Sequence, residues 1–225
     1  MPMKDNAAIE VTALQWVPPF AQGMVKDLRV RWALEEAGLD YRVRLLAGQR
    51  PAKYRQEQPF DQVPCFNDGK VQIFESGAIL QYIGEQSEAL LPRDQLGKFR
   101  AIQWMFAALN SIEPFIQFRA LLGGPFSDQE WAKPATPTFD HYAQLRLGQL
   151  SERVGEKEWL EGGRFTIGDL MMVMVLRIAD NSGQLADFDN LAAFVKRGEA
   201  RPAFKQALAD HMAAFEQHQP EGVAA

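Results

Sequence analysis

Glu75 and Ser76 open a segment whose apolar residues Ile79, Leu80 and Ile83 recur at helical spacing. The first amides of a helix have no internal partner and carry partial positive charge. A small anion such as a carboxylate docks at such a point. Upstream, Pro64 stands where a strand begins, and a proline there donates no ladder hydrogen bond. Asn67-Asp68-Gly69 between two apolar runs is a hairpin turn signal. The stretch from Gln58 to Glu85 therefore reads as loop, short strand, turn, short strand and helix.

Other chemistry is sparsely provided. Cys65 is the single cysteine, which excludes an internal disulfide framework and fits a reducing cytoplasm. It is read as a small buried apolar side chain, since no second cysteine could resolve a disulfide. His141, His211 and His218 are scattered without metal-ligand spacing, so no metal site is expected. A net charge of -5 with no concentrated basic patch argues against nucleic-acid binding. The residues from Met1 to Glu10 lack an apolar signal core, and the run Leu170 to Leu176 is too short to span a bilayer. With 225 residues and 47% hydrophobic content, the chain can bury the cores of one large or two small domains.

The elements that must position Glu75 and Ser76 follow from pattern. Val11 to Trp16 reads as a strand and Val17 to Gly23 as a loop. Met24 to Ala37 reads as a helix stopped by Gly38, and Tyr41 to Leu46 as a second strand. The alternating Arg42 and Arg44 are read as a solvated strand face. Ala47 to Gln58 is polar, with one short helical turn. Beyond Leu91-Pro92-Arg93-Asp94 the strand pattern stops. Ile102, Phe106, Leu109 and Ile112 indicate one long helix over about 94–122, strained at Pro114. Lys133 to Pro137 is read as a loop before a helix over 138–154. Thr166 with Asp169 forms a capping-box start to a helix apolar on most sides and hence buried. Two more helices follow, over 189–200 and 202–215. The fold class is α/β plus all-α, with a small domain over 9–90 and a helical domain over 94–217.

Taken together, the chain resembles the cytosolic glutathione transferases over roughly residues 10–217. The carriers are Gln62-Val63-Pro64, Glu75-Ser76-Gly77-Ala78-Ile79, Arg31-Trp32-Ala33-Leu34-Glu35-Glu36-Ala37-Gly38, Phe165-Thr166-Ile167-Gly168-Asp169-Leu170 and Arg201-Pro202-Ala203-Phe204. The resemblance implies a thioredoxin-like N-terminal domain, a glutathione-transferase-type helical C-terminal domain and a homodimer. It also implies a cis peptide before Pro64. Val63 would pair its main chain with the cysteinyl part of glutathione, the co-substrate. Ser76 would donate to the γ-glutamyl carboxylate, Glu75 would meet the γ-glutamyl amino group, and Gln49 and Lys53 lie where members reach the glycyl carboxylate.

The position that binds the glutathione sulfur departs from the family. Members place Tyr, Ser or Cys after the first strand, whereas Trp16 to Val25 contains no Tyr, Ser, Thr or Cys. The backbone amides of Gln22 to Met24 and the Gln22 side chain remain as donors to a thiolate. The implied function is conjugation of the thiolate to an electrophilic, fairly apolar small molecule, in the cytoplasm. The alternative is a non-catalytic binding or partner module of the same fold. Disulfide exchange is a third option, weakened by Pro18 standing where thiol-type members carry cysteine. Trp104, Met105, Phe106, Phe115 and Phe118 are read as core or interface ahead of the alternative that they line an electrophile pocket, with Asn110 and Arg119 as cleft candidates on the same helix.

Overall fold

A computed structural model describes residues 2–220. Strand β1 (Ile9–Leu14) and strand β2 (Tyr41–Leu46) pair parallel, from Ile9↔Tyr41 to Leu14↔Leu46. A parallel pair needs a crossover, and helix α1 (Asp27–Ala37) supplies it. Strand β3 (Cys65–Asn67) lies antiparallel on the other side of β1, and β4 (Gln72–Phe74) antiparallel beyond it, giving the order β2-β1-β3-β4. Asp68 and Gly69 turn the hairpin: Asp68 Oδ1 accepts from the amides of Lys70 and Val71 at 2.9 and 2.8 Å. Gly69 takes a φ of +83°, which a side chain would resist. Helix α2 (Ser76–Gln86) follows at once.

Val11, Leu28, Trp32, Tyr41, Phe66, Ile79, Leu80 and Ile83 are fully buried in this first unit, which runs to Leu90 and resumes at Ala200. The second unit spans Leu91–Glu199. Helix α8 (Pro202–Gln217) thus groups with the N-terminal unit. The reason lies in α1. Trp32 meets Phe204 edge-on at 4.9 Å, Arg201 grips Glu36 through two bonds of 2.5 and 2.7 Å, and His211 Nδ1 lies 3.1 Å from the buried Asp27.

The second unit contains α3 (Gln95–Ala107), α4 (Glu113–Gly123), α5 (Ala132–Val154), α6 (Ile167–Asn181) and α7 (Asp189–Glu199). The long helix expected over 94–122 is continuous, but a π-helical turn, Ala108–Ile112, sits directly before Pro114. Proline lacks the N–H and crowds the carbonyl four residues back, and a widened turn accommodates both. Helix α5 begins at Ala132, so Lys133 to Pro137 is helical and not a loop. Pro134 falls in the first turn, where amides have no helical partner anyway. Pro137 forfeits one bond, and the Thr136 hydroxyl donates to the Ala132 carbonyl at 2.9 Å.

Helix α6 is the core of its unit, buried from Ile167 through Arg177. Its start has the expected reciprocal capping: Thr166 Oγ1 accepts from Gly168 N at 3.2 Å and the Thr166 amide donates to Asp169 at 2.9 Å. A Cβ on Gly168 would stand 2.7 Å from Trp104 Cβ, so α6 approaches α3 as closely as it does only because a glycine is there. On the sheet, Arg42 and Arg44 are not a simple solvated face. Both converge on Glu10, at 3.0 and 2.8 Å, and Arg44 also pairs with Glu57.

Candidate functional site

The Val63–Pro64 peptide is cis. In the β3–β4 ladder Cys65 pairs with Phe74, so Pro64 leads into and Glu75 leads out of the same last pair of the hairpin. Val63 and Phe74 pack on one apolar cluster of Leu46, Tyr54 and Cys65. The hairpin thereby brings together the two dipeptides that the sequence singled out. The N–H and C=O of Val63, in the bend just before β3, have no backbone partner among the described residues.

Ser76 is buried, and its Oγ accepts from the buried Arg29 Nη1 at 3.4 Å, which leaves the hydroxyl hydrogen to donate. The first bond of α2 runs from the Ile79 amide to the Glu75 carbonyl at 3.0 Å, so the amides of Ser76, Gly77 and Ala78 precede the ladder and remain open. Guanidinium, hydroxyl and helix N-terminus together give this corner the donors and positive charge that suit a carboxylate. Glu75 is exposed, and its backbone takes φ +69° and ψ 118°. A non-glycine residue held there is strained, a cost of about 1–3 kcal/mol that often accompanies functional positions.

The segment before Pro64 is tied down from both sides. Tyr54 Oη donates to the Gln62 carbonyl at 2.7 Å and lies 2.8 Å from Thr12 Oγ1, which accepts from the Cys65 amide at 2.7 Å. Tyr54 has one hydrogen and Gln62 can only accept, so Thr12 donates to Tyr54. Burial pushes the Tyr54 phenol up and keeps it neutral. Cys65 is buried, and burial raises its thiol above the usual range, which makes it a poor nucleophile.

The loop expected to handle sulfur uses much of its own donor capacity. The Met24 amide donates to Ala21 O at 3.0 Å and the Gln22 amide to Pro19 O at 3.2 Å. Neither backbone N–H is therefore open to a ligand, contrary to the expectation for Gln22 and Met24. The short 3-10 turn Pro19–Ala21, preceded by Pro18, folds the loop back on itself and consumes them. The Gln22 side chain fares differently: Nε2 donates one hydrogen to Val17 O at 3.1 Å, and its second hydrogen stays available.

Lys53 is exposed on a 3-10 turn, Ala52–Gln56, with no partner among the described residues. Gln49 is exposed too. It borders a hollow with Arg50 and Arg55, both facing Asp61 at 3.0 and 4.0 Å, and Lys53 is not among the residues lining it. Arg29, Thr12 and Tyr54 escaped the sequence reading. The only available signal was Tyr54 itself, an aromatic residue inside a polar segment. In the second unit Met105 is buried, but Phe106 and Phe118 are half exposed, and Phe118 stacks with Phe139 at 5.5 Å. Arg119 is ion-paired with Asp140. Among the described residues, no group of three or more His, Cys, Asp or Glu could hold a metal, and no helix is long and apolar enough to cross a membrane.

A four-stranded sheet with an N-terminal helix crossover, followed by a helical bundle, matches the glutathione S-transferase N-terminal domain over residues 22–85 and the C-terminal domain over 122–211. The chain is 31% identical to glutathione S-transferase F10 of Arabidopsis thaliana, across 61% of this chain and 68% of that one. It is 26% identical to the disulfide-bond oxidoreductase YfcG of Escherichia coli, across 78% and 86%. A glutathione transferase family member from Pseudomonas fluorescens, solved with two glutathione bound, superposes with a TM-score of 0.78 over 89% of this chain and 92% of that one, at 23% identity. The chain belongs to the glutathione S-transferase family.

Proposed function

We infer that this protein binds glutathione and conjugates its sulfur to an electrophilic, fairly apolar small molecule. One observation supports the reading: the Val63–Pro64 peptide and the Glu75–Ser76 helix start flank the same terminal pair, Cys65↔Phe74, of the hairpin. Glutathione is an extended peptide with a carboxylate at each end. Its cysteinyl unit pairs with Val63 as an added strand would. The γ-glutamyl carboxylate receives the Ser76 hydroxyl and the first amides of α2, and Glu75 meets the γ-glutamyl ammonium. Gln49 and Lys53 are left to serve the glycyl carboxylate.

The Gln22 carboxamide is the donor assigned to the sulfur. A neutral amide favours thiolate less than a well-placed hydroxyl with a charged neighbour, so rate enhancement rests mainly on holding the thiol beside the electrophile. The thiol proton leaves to solvent, and the sulfur lone pair forms the new carbon–sulfur bond. The leaving group departs with the bonding pair; in an epoxide, the ring oxygen takes the pair and then a proton. Turnover with a panel of aryl halides and epoxides tests this. Glutathione binding without turnover of any would leave a binding module instead, the reading favoured by the engaged amides of Gln22 and Met24. The same family membership is the ground for expecting a homodimer, which sedimentation would check.

A further inference from the structure

We propose that Tyr54, together with Thr12, is a positioning residue that presets the Val63 main chain for glutathione. The inference rests on the glutathione reading above. The residues flanking the Val63–Pro64 peptide are both fastened to the same two side chains. Gln62 accepts from Tyr54 at 2.7 Å, Cys65 donates to Thr12 at 2.7 Å, and the two hydroxyls are joined at 2.8 Å. Thr12 and Tyr54 are each 1% exposed, so no water competes for these bonds. Thr12 belongs to the central strand β1 and Tyr54 to the 3-10 turn, which makes the anchor points rigid on one side and local on the other.

The arrangement holds Gln62 and Cys65 but leaves the N–H and C=O of Val63 untouched. A segment fixed at its flanks and open at its centre binds an extended peptide without first having to order itself, and ordering costs are what limit such docking. Removing the Tyr54 hydroxyl while keeping the ring leaves the apolar cluster filled, but strands the Gln62 carbonyl and releases the loop.

The test compares Tyr54→Phe, Thr12→Val and Thr12→Ser by calorimetry with glutathione, steady-state kinetics and amide hydrogen exchange. Tyr54→Phe and Thr12→Val should each raise the glutathione Kd and KM about tenfold. The kcat at saturating glutathione should change less than about twofold, the KM for the electrophile should hold, and Thr12→Ser, which keeps the hydroxyl, should restore the parent values. Exchange at Cys65, whose amide donates to Thr12, should speed up in the first two variants, with or without glutathione. Folded variants that bind glutathione as the parent does would overturn the assignment and leave the glutathione reading intact. A parent protein that binds no glutathione overturns both.

Discussion

Gln22 holds its side-chain Nε2 3.1 Å from the Val17 carbonyl, so the carboxamide is braced within its own loop while the main-chain N–H groups of Gln22 and Met24 serve carbonyls behind them. A braced donor keeps its second hydrogen pointed in one direction at little entropic cost. Gln22→Ala should therefore lower kcat/KM for conjugation about tenfold, with most of the loss in kcat. Ultraviolet titration of the bound thiol should show its apparent pKa rising. An unchanged thiol pKa would remove Gln22 from the sulfur's surroundings.

Ser76 offers the carboxylate both a hydroxyl and a helix N-terminus, next to the Arg29 guanidinium. Ser76→Ala deletes one charge-assisted bond and should weaken glutathione about 10- to 100-fold by calorimetry. The kcat at saturating glutathione should move far less.

Glu75 combines an exposed side chain with a left-handed backbone, φ +69°. Glycine adopts that conformation freely, so Glu75→Gly should raise the unfolding free energy by about 1 kcal/mol in a denaturant titration. It should at the same time weaken glutathione binding. A variant that is less stable and binds glutathione normally would contradict both halves of the argument.

Two buried carboxylates make stability depend on acidity in opposite directions. Burial pushes Asp169 up to about 6, against the bonds it accepts from Leu160 and Thr166. Its native form therefore holds a proton more tightly than the unfolded chain does. The associated stability is complete below the ordinary carboxylate range, declines as pH rises to about 6 and is flat above. Asp27 is also penalised by burial, but His211 and Arg31 outweigh this and hold its carboxyl below the usual value. Its contribution is present above the ordinary range and is lost as pH falls through it. Denaturation curves from pH 3 to 8 should show Asp169→Asn flattening the upper part of the profile and Asp27→Asn the lower.

Much of this fold can be read from the chain because local and long-range signals agree. The turn residues Asn67-Asp68-Gly69, the alternation of Tyr41 to Leu46 and the Thr166–Asp169 cap each determine an element by short-range chemistry. Features set by tertiary context could not be read that way. Pro134 and Pro137 look like loop residues until the helix around them is seen to place one in its first turn. The π turn before Pro114 leaves no trace in periodicity. Helix α8 belongs with α1 because Trp32 and Asp27 are buried by Phe204 and His211, a pairing across most of the chain. Val63, Pro64, Glu75 and Ser76, the residues of the proposed site, stand out in the sequence by order and spacing. The Tyr54–Thr12 network does not, since it joins a polar segment to a central strand. Nor does the occupation of the Met24 amide, which depends on how two prolines fold the loop.

The most direct test of the central claim is a titration of the isotope-labelled protein with glutathione, followed by amide chemical shifts. The shifts should concentrate at Val63 and at Ser76, Gly77 and Ala78, the amides that the proposed site assigns to the tripeptide. Saturating glutathione that leaves these amides unmoved, or that moves a different set, would contradict the site described here.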